Sequence, residues 1–360
     1  MDRREFLKST GAAAAAATTA TAAVAETIPP SPNASELAAP NLASGARELR
    51  LATPWPDSVS GPADQVRRLA QRIASMSGGR YRIAFVSGAG NGLDAVRAGE
   101  ADLYYASEHD HLEAHRALAY FAGLPGNRAI GARHLSAWML VGGGQALWDD
   151  LAGGFGVKAL LAGHTGERPY FLATRRLDDV SELAGEKVAV AGLAREVVRG
   201  LGLVPVTLPL SHVAGALSAG DLLAVELGGA IASHSLGLFS AAGVFVGASL
   251  NRTGSAISLG MRRSLWDGLS ASDQAIVTAA AAAEYDLALA EEETHRRLLT
   301  AGKRWPIAHE LWRTIRSVGD AVVAHVAASD TQAQRINAGY VAFRRALLGD
   351  DPHAARPETA

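Results

Sequence analysis

Apolar positions along this chain recur with two different periods. Leu49 and Leu51, and then Tyr81, Ile83 and Phe85, alternate with polar neighbours, which predicts two strands. Between them Val66, Leu69, Ile73 and Met76 recur at helical spacing, and Gly78-Gly79 supplies a C-terminal stop. Strand, helix and strand in that order predict a parallel pair in a covered sheet. A second set follows, with strands at 187–190, 204–207 and 222–225 and helices at about 195–200 and from near Ser211. Ligands on such sheets bind beyond the carboxyl ends of the strands. Trp55, the 88–92 loop, Gly192 and Glu226 all fall at such ends. Ser270 reads as the N-cap of a long alanine-rich helix that runs to about Leu299 and carries Glu291, Glu292 and Glu293 on its later turns. Helical patterns continue through 312–326 and 332–347, and the segment 349–360 reads as a disordered tail.

Composition narrows the function classes. The chain has 360 residues, enough for about two domains with their own cores. It is 48% hydrophobic, which excludes disorder of the whole chain, and much of that fraction is alanine, which predicts a core of close-packed helices rather than bulky side chains. It contains no cysteine, so disulfides, thiolate metal sites and cysteine nucleophiles are excluded. A formal net charge of −2 offers no basic stripe for nucleic acid.

The first residues read as an address. Arg3-Arg4-Glu5-Phe6-Leu7-Lys8 precedes a weakly apolar Ala/Thr stretch that ends in Ala23-Val24-Ala25, the order of a secretory signal with an A-x-A cleavage site. The paired arginines resemble the twin-arginine motif that exports folded proteins through its own machinery. Cleavage after Ala25 would leave a mature formal charge of −3. Residues 26–47 are rich in Pro, Ala, Ser and Asn and read as a flexible leader. No later window is long and apolar enough for a membrane span, so the expected product is an exported periplasmic protein.

Few patterns carry chemistry. Gly88-Ala89-Gly90-Asn91-Gly92 could cradle a phosphate, but Leu93 stands where a dinucleotide fingerprint needs its third glycine, and a tight turn is the better reading. Gly142-Gly143-Gly144 has no lysine partner and reads as a close-packing helix junction. Glu108-His109-Asp110-His111 is the densest ligand-capable run. On a strand His109 and His111 would share a face and could chelate a metal, whereas on a loop they would be solvated. His164, His212 and His234 are scattered and read as structural. No assembled nucleophile and base can be found.

Val141-Gly142-Gly143-Gly144-Gln145-Ala146-Leu147-Trp148-Asp149-Asp150 resembles a signature of the solute receptors that serve tripartite ATP-independent periplasmic (TRAP) transporters, in the branch that binds 2-oxo acids and related monocarboxylates. Leu51-Ala52-Thr53-Pro54-Trp55-Pro56, Met76-Ser77-Gly78-Gly79-Arg80, the segments at 203–209 and 266–269, and Tyr340-Val341-Ala342-Phe343-Arg344 match in the same order. The resemblance implies a periplasmic-binding-protein-like α/β fold. Two lobes, 48–170 with 256–285 and 171–255 with 286–330, would flank a cleft and a hinge, followed by a C-terminal helix at 331–348 that exchanges between the subunits of a dimer in some members. It implies ligand capture and delivery to a membrane permease, without catalysis.

The matching ligand positions depart from that family pattern. Ala189 stands where the carboxylate-clamping arginine is expected. Arg168, Glu226 and Arg252 stand where some members hold a metal with a glutamine and two glutamates, and Leu227 replaces a tryptophan. His109-Asp110-His111 replaces a Tyr-Tyr-Trp run of the opposite wall, and the 88–92 loop is shorter. A guanidinium can replace a cation that bridges protein and carboxylate. Arg168 and Arg252 are therefore expected to hold the acid, with Glu226 offsetting one charge, Trp55 forming an apolar wall, and neither metal nor cofactor bound. The alternatives are arginines that point to solvent beside a degenerate apolar pocket, and a hydroxylated or nitrogenous ligand read by His109, Asp110 and His111. At the level of function, the alternatives are a sensing or scaffold protein on the same fold and, last, an exported enzyme that uses the His109–His111 region.

Overall fold

A computed structural model describes residues 45–86, 91–127, 129–177, 179–302 and 309–349. The twin-arginine segment, most of the 26–47 leader, most of the 88–92 loop and the tail from 350 lie outside the described residues.

Two five-stranded sheets organise the chain. The first contains β1 (Arg47–Ala52), β2 (Tyr81–Val86), β3 (Leu103–Ala106), β4 (Val157–His164) and, from much later in the chain, β10 (Ala256–Arg262), in the order β2-β1-β3-β10-β4. The second contains β5 (Phe171–Ala173), β6 (Lys187–Val190), β7 (Val204–Val206), β8 (Ala224–Glu226) and β9 (Val244–Val246), in the order β7-β6-β8-β5-β9. As the strand–helix–strand pattern predicts, β1 runs parallel to β2, with Leu49 opposite Ile83, and β6 runs parallel to β7 and β8. Neither sheet is wholly parallel, however. β10 is antiparallel to β3 and β4, and β5 is antiparallel to β8 and β9. These are strands by which the chain passes from one sheet to the other, and they enter against the local direction.

The period-two and helical patterns locate the elements more accurately than their burial. The helix Pro62–Met76 covers the first sheet with Val66, Leu69 and Ile73, whereas Met76 is exposed. β2 is an edge strand, so Tyr81 and Ile83 are half-buried and Phe85 is exposed.

The core also departs from the expectation of close-packed helices rather than bulky side chains. Phe121 stacks between Trp138 and Trp148, with ring centroids 5.5 and 5.1 Å apart, and Tyr340 meets Trp138 edge-on at 5.2 Å. All four rings are buried. Such rings contribute large apolar area and favourable pair geometry. The triple glycine joins the helices Ala132–Leu140 and Gly144–Gly153 against this cluster, and a side chain on Gly142 would meet Phe343 at 2.4 Å.

The helix Ala271–Leu299 bears on both sheets. Ser270 caps it by accepting a hydrogen bond from the Asp273 amide at 3.1 Å. It packs on β4 and on Pro62–Met76, then on the helix Ala230–Ser235 beside the second sheet. The Glu284 carboxylate, fully buried, holds Arg68 at 2.7 Å and Arg72 at 3.4 Å, and Arg68 also reaches Glu291 at 2.7 Å. The helices His309–Ala327 and Thr331–Leu348 complete the described chain. Among the described residues no helix is long and apolar enough to cross a membrane.

Truncating the central ring tests this account of the core. Phe121→Ala should cost about 3–5 kcal/mol in chemical denaturation, the range for a buried aromatic. A loss below about 1 kcal/mol would show that the stack does not hold the core.

Candidate functional site

Two backbone segments cross between the sheets, 164–170 and 247–255. Buried backbone polar groups need partners, and here the segments supply them to each other. The Thr165 amide donates to the Ser255 carbonyl at 2.9 Å, and the Arg168 amide donates to the Arg252 carbonyl at 2.8 Å. The two arginines are thereby adjacent on paired backbone. Arg168 is buried, and its Nε has no hydrogen-bond partner; Arg252 is half-buried.

Glu226 ends β8 and is also buried. Its carboxylate accepts hydrogen bonds from the Leu250 amide at 2.8 Å, the Asn251 amide at 2.8 Å and the Ser249 hydroxyl at 3.2 Å. These bonds commit it to anchoring the second crossing segment. Leu227 packs against the apolar cluster of the second sheet, in which Ala189 is fully buried.

His109, Asp110 and His111 lie on a 3₁₀ turn, Glu108–His111, capped by the Ser107 hydroxyl on the His109 amide at 3.2 Å. The strand that would have placed both imidazoles on one face is absent there, because β3 ends at Ala106. The two rings consequently have different surroundings. His111 is fully buried, with Nδ1 3.2 Å from Glu108 Oε2, while Glu108 Oε1 accepts from the Tyr104 hydroxyl at 2.8 Å. Burial favours neutral imidazole, but the Glu108 carboxylate outweighs it and raises the His111 pKa. His109 makes no such pair, and burial lowers its pKa to about 4 against the opposing pulls of the nearby Gly123 backbone and of Glu108, so it is neutral near pH 7. Neither of its ring nitrogens makes a hydrogen bond. Asp110 is exposed, and its carbonyl accepts from Asn91 Nδ2 at 3.5 Å. Trp55, just beyond β1, is half-buried with an unpartnered indole N–H.

The two walls meet. Gly192, at the carboxyl end of β6 with φ +59°, lies against the His109 ring, where a Cβ would come within 2.5 Å of Cγ. Nearby, Arg116 pairs with Glu196 on the helix Ala194–Gly200 at 2.7 Å. His109 and Trp55 therefore carry unpaired polar atoms on the first-sheet wall, while Arg168 does so on the crossing segment.

The run Glu291-Glu292-Glu293 is visible in the sequence, but nothing in it marks the middle carboxylate as buried. Glu292 turns inward beside Gly166 and accepts the Ala230 amide at 2.9 Å. Burial lifts its pKa to about 7, against the opposing pull of the Ala230 and Ile231 amides and of Arg168. Burial likewise lowers His164 to about 3, with Arg168 adding to the effect.

Among the described residues no three His, Asp or Glu side chains are grouped to hold a metal ion. With Glu226 committed to backbone amides and guanidinium groups at Arg168 and Arg252, the donor set does not suit a cation.

No family model matches the chain. It is 28% identical over 312 residues to the monocarboxylate 2-oxoacid-binding periplasmic protein of Nostoc sp., which covers 83% of this chain and 84% of that relative. A TRAP transporter solute-binding protein from Bordetella bronchiseptica, a dimer with copurified calcium and picolinate, superposes with a TM-score of 0.76 at 20% identity, over 84% of this chain and 93% of that one. A TRAP periplasmic solute-binding protein from Pseudoalteromonas atlantica with bound sodium and pyruvate gives 0.75 at 21% identity, over 84% and 95%. The chain has the mixed α/β fold of TRAP solute-binding proteins and resembles receptors rather than enzymes. The first of these structures contains calcium with picolinate and the second sodium with pyruvate.

A carboxyl whose pKa is raised on folding stabilises the protein while protonated, and that stability is lost as pH rises from its unfolded value to its folded one. For Glu292 the window runs from the ordinary 4.5 to about 7. Relative to wild type, Glu292→Gln should therefore melt progressively higher as pH is raised from 4.5 to 7.5, by a free-energy difference on the order of 3 kcal/mol. A difference that does not change with pH would contradict this assignment.

Proposed function

We propose that this chain is an exported receptor that captures a small organic acid, a 2-oxo acid or related monocarboxylate, between its two lobes and passes it to a TRAP-type permease. The observation that carries this reading is the buried Arg168 guanidinium, whose Nε lacks a partner at the point where the lobes join. Arg168 forms no ion pair with its neighbour Glu292, whose own charge is disfavoured by burial, so its burial is costly, and a carboxylate ligand would offset that cost through charge-assisted hydrogen bonds. Arg252 adds positive potential from the paired segment, and Glu226 keeps that segment in place. Trp55 and neutral His109 supply the remaining polar atoms of the cleft, Asp110 and His111 flank them, and Leu227 contributes apolar backing. The fold shared with TRAP receptors and the Nostoc relative's name support the substrate class.

Closure follows from the same geometry. A ligand that prefers the closed state shifts the population toward it by its differential affinity, and the His109–Gly192 contact and the Arg116–Glu196 pair lie across the closing surface. The lobes would consist of 48–170 with 256–285 and 171–255 with 286–330. Export would use the twin-arginine signal with cleavage near Ala25, and the helix at 331–348 would be the surface for a homodimer.

Thermal melting across a panel of solutes tests the reading, because a ligand that binds only the folded state raises the melting temperature. Pyruvate or a longer 2-oxo acid should raise it equally with and without a chelator, and Arg168→Gln should weaken the response at least about tenfold. Gly192→Val should also weaken it by obstructing closure. A response to neutral solutes alone, or one abolished by chelation, would contradict the reading.

A further inference from the structure

A second group of arginines lies where the 123–127 loop meets the helices His309–Ala327 and Thr331–Leu348. Asn127 organises it. Its amide N–H and side-chain NH₂ donate to the two carboxylate oxygens of Asp320 at 2.8 and 2.9 Å, and its side-chain oxygen accepts from Arg316 Nε at 2.5 Å. The Asn127 carbonyl lies 3.4 Å from Arg344 Nη2. The same loop abuts the second crossing segment: a Cβ on Gly123 would lie 3.1 Å from Thr253 Oγ1, next to Arg252.

Charge at this junction is not balanced. Arg316 is 7% exposed and Arg344 8%, yet among the described residues neither they nor Arg252 form an ion pair with a carboxylate. Arg344 Nε is buried without any partner. Among the described residues Asp320 is the acid of the group, and two of its hydrogen bonds go to Asn127. The Arg316 guanidinium lies over Trp312 at 5.0 Å, which softens the cost of its burial without neutralising its charge. Burial chiefly lowers its pKa, and Arg252 and Arg344 add to this against the opposing pull of Asp320, so both cations act on Arg316 repulsively. Guanidinium groups that are desolvated and mutually repelling destabilise the fold unless an anion joins them.

We propose that Arg316 and Arg344, arranged around Asn127, form with the added positive potential of Arg252 a second anion site that takes a small doubly charged oxyanion, apart from the Arg168 carboxylate clamp. Planar forks from separate helices can each present paired N–H donors to such an ion. Occupancy would fasten the last two helices to the second crossing segment and so connect anion binding to the hinge. The proposal does not depend on the identity of the cleft ligand.

Thermal melting of the full chain at constant ionic strength, with chloride replaced stepwise by sulfate or by succinate, tests it. The wild-type melting temperature should rise and saturate in the millimolar range with at least one of the two probes. A sulfate response identifies an inorganic oxyanion as sufficient, and a response to succinate alone identifies an organic dicarboxylate. Arg316→Gln and Arg344→Gln should each weaken the response at least tenfold, whereas Arg168→Gln should retain it. In chloride, Arg344→Gln should melt no lower than wild type, because it removes an uncompensated charge. No saturable response to either probe would overturn the proposal. So would a response lost in Arg168→Gln but kept in Arg344→Gln, and that result would leave the cleft reading standing.

Discussion

The pairing of two crossing segments is the constraint on which the remaining features depend. The bonds Thr165–Ser255 and Arg168–Arg252 satisfy backbone groups that would otherwise be buried without partners. In doing so they fix which side chains stand together between the sheets. Glu226 grips the second segment through three donors, and Glu292 abuts the first at Gly166. The long helix is tied to Pro62–Met76 beside the first sheet by Glu284 with Arg68 and Arg72, and to Ala230 beside the second sheet by Glu292. One continuous hydrophobic cluster joins residues of both sheets, among them Tyr104 and Val157 of the first and Phe171 and Val188 of the second, so the crossings and this shared core together link the sheets.

The proposed guanidinium clamp at this junction needs no metal, whereas two structural relatives contain calcium with picolinate or sodium with pyruvate. A guanidinium carries fixed charge and a planar fork of donors, so it can meet a carboxylate without an intervening ion. In the proposed site the cost of such a clamp is that Arg168 remains a desolvated cation until an anion meets it. Electrostatics then favour capture of an anion over a neutral solute of equal size. Neutral His109, whose ring nitrogens are unpaired and which lies against Gly192, adds one donor and one acceptor to the same surface. That combination suits a ligand with a polar substituent beside its carboxylate.

Much of the fold is readable from local pattern. Alternation at 49–51 and 81–85, the stop at Gly78-Gly79 and the cap at Ser270 each mark elements that the structure contains, because these signals depend only on near neighbours. Properties set by distant neighbours are not readable in this way. Phe121, Trp138, Trp148 and Tyr340 lie in four separate segments, so their stacking is invisible to any window of sequence. Phe85 follows the strand period but is exposed because β2 is an edge. The same holds for the site. The departures at Arg168, Ala189 and Arg252 stand out by comparison with a family pattern, whereas the inward turn of Glu292 and the capture of Glu226 by amides 24 and 25 residues away emerge only from the folded chain.

The central claim is that a guanidinium, rather than a metal, holds the acid. A crystal structure of the protein purified without added ligand, or soaked with pyruvate where the cleft is free, tests it most directly. The account predicts carboxylate oxygens within hydrogen-bond distance of the Arg168 guanidinium and no cation bridging ligand and protein. A metal ion coordinated between ligand and protein, or an Arg168 side chain turned away from a bound ligand, would contradict it.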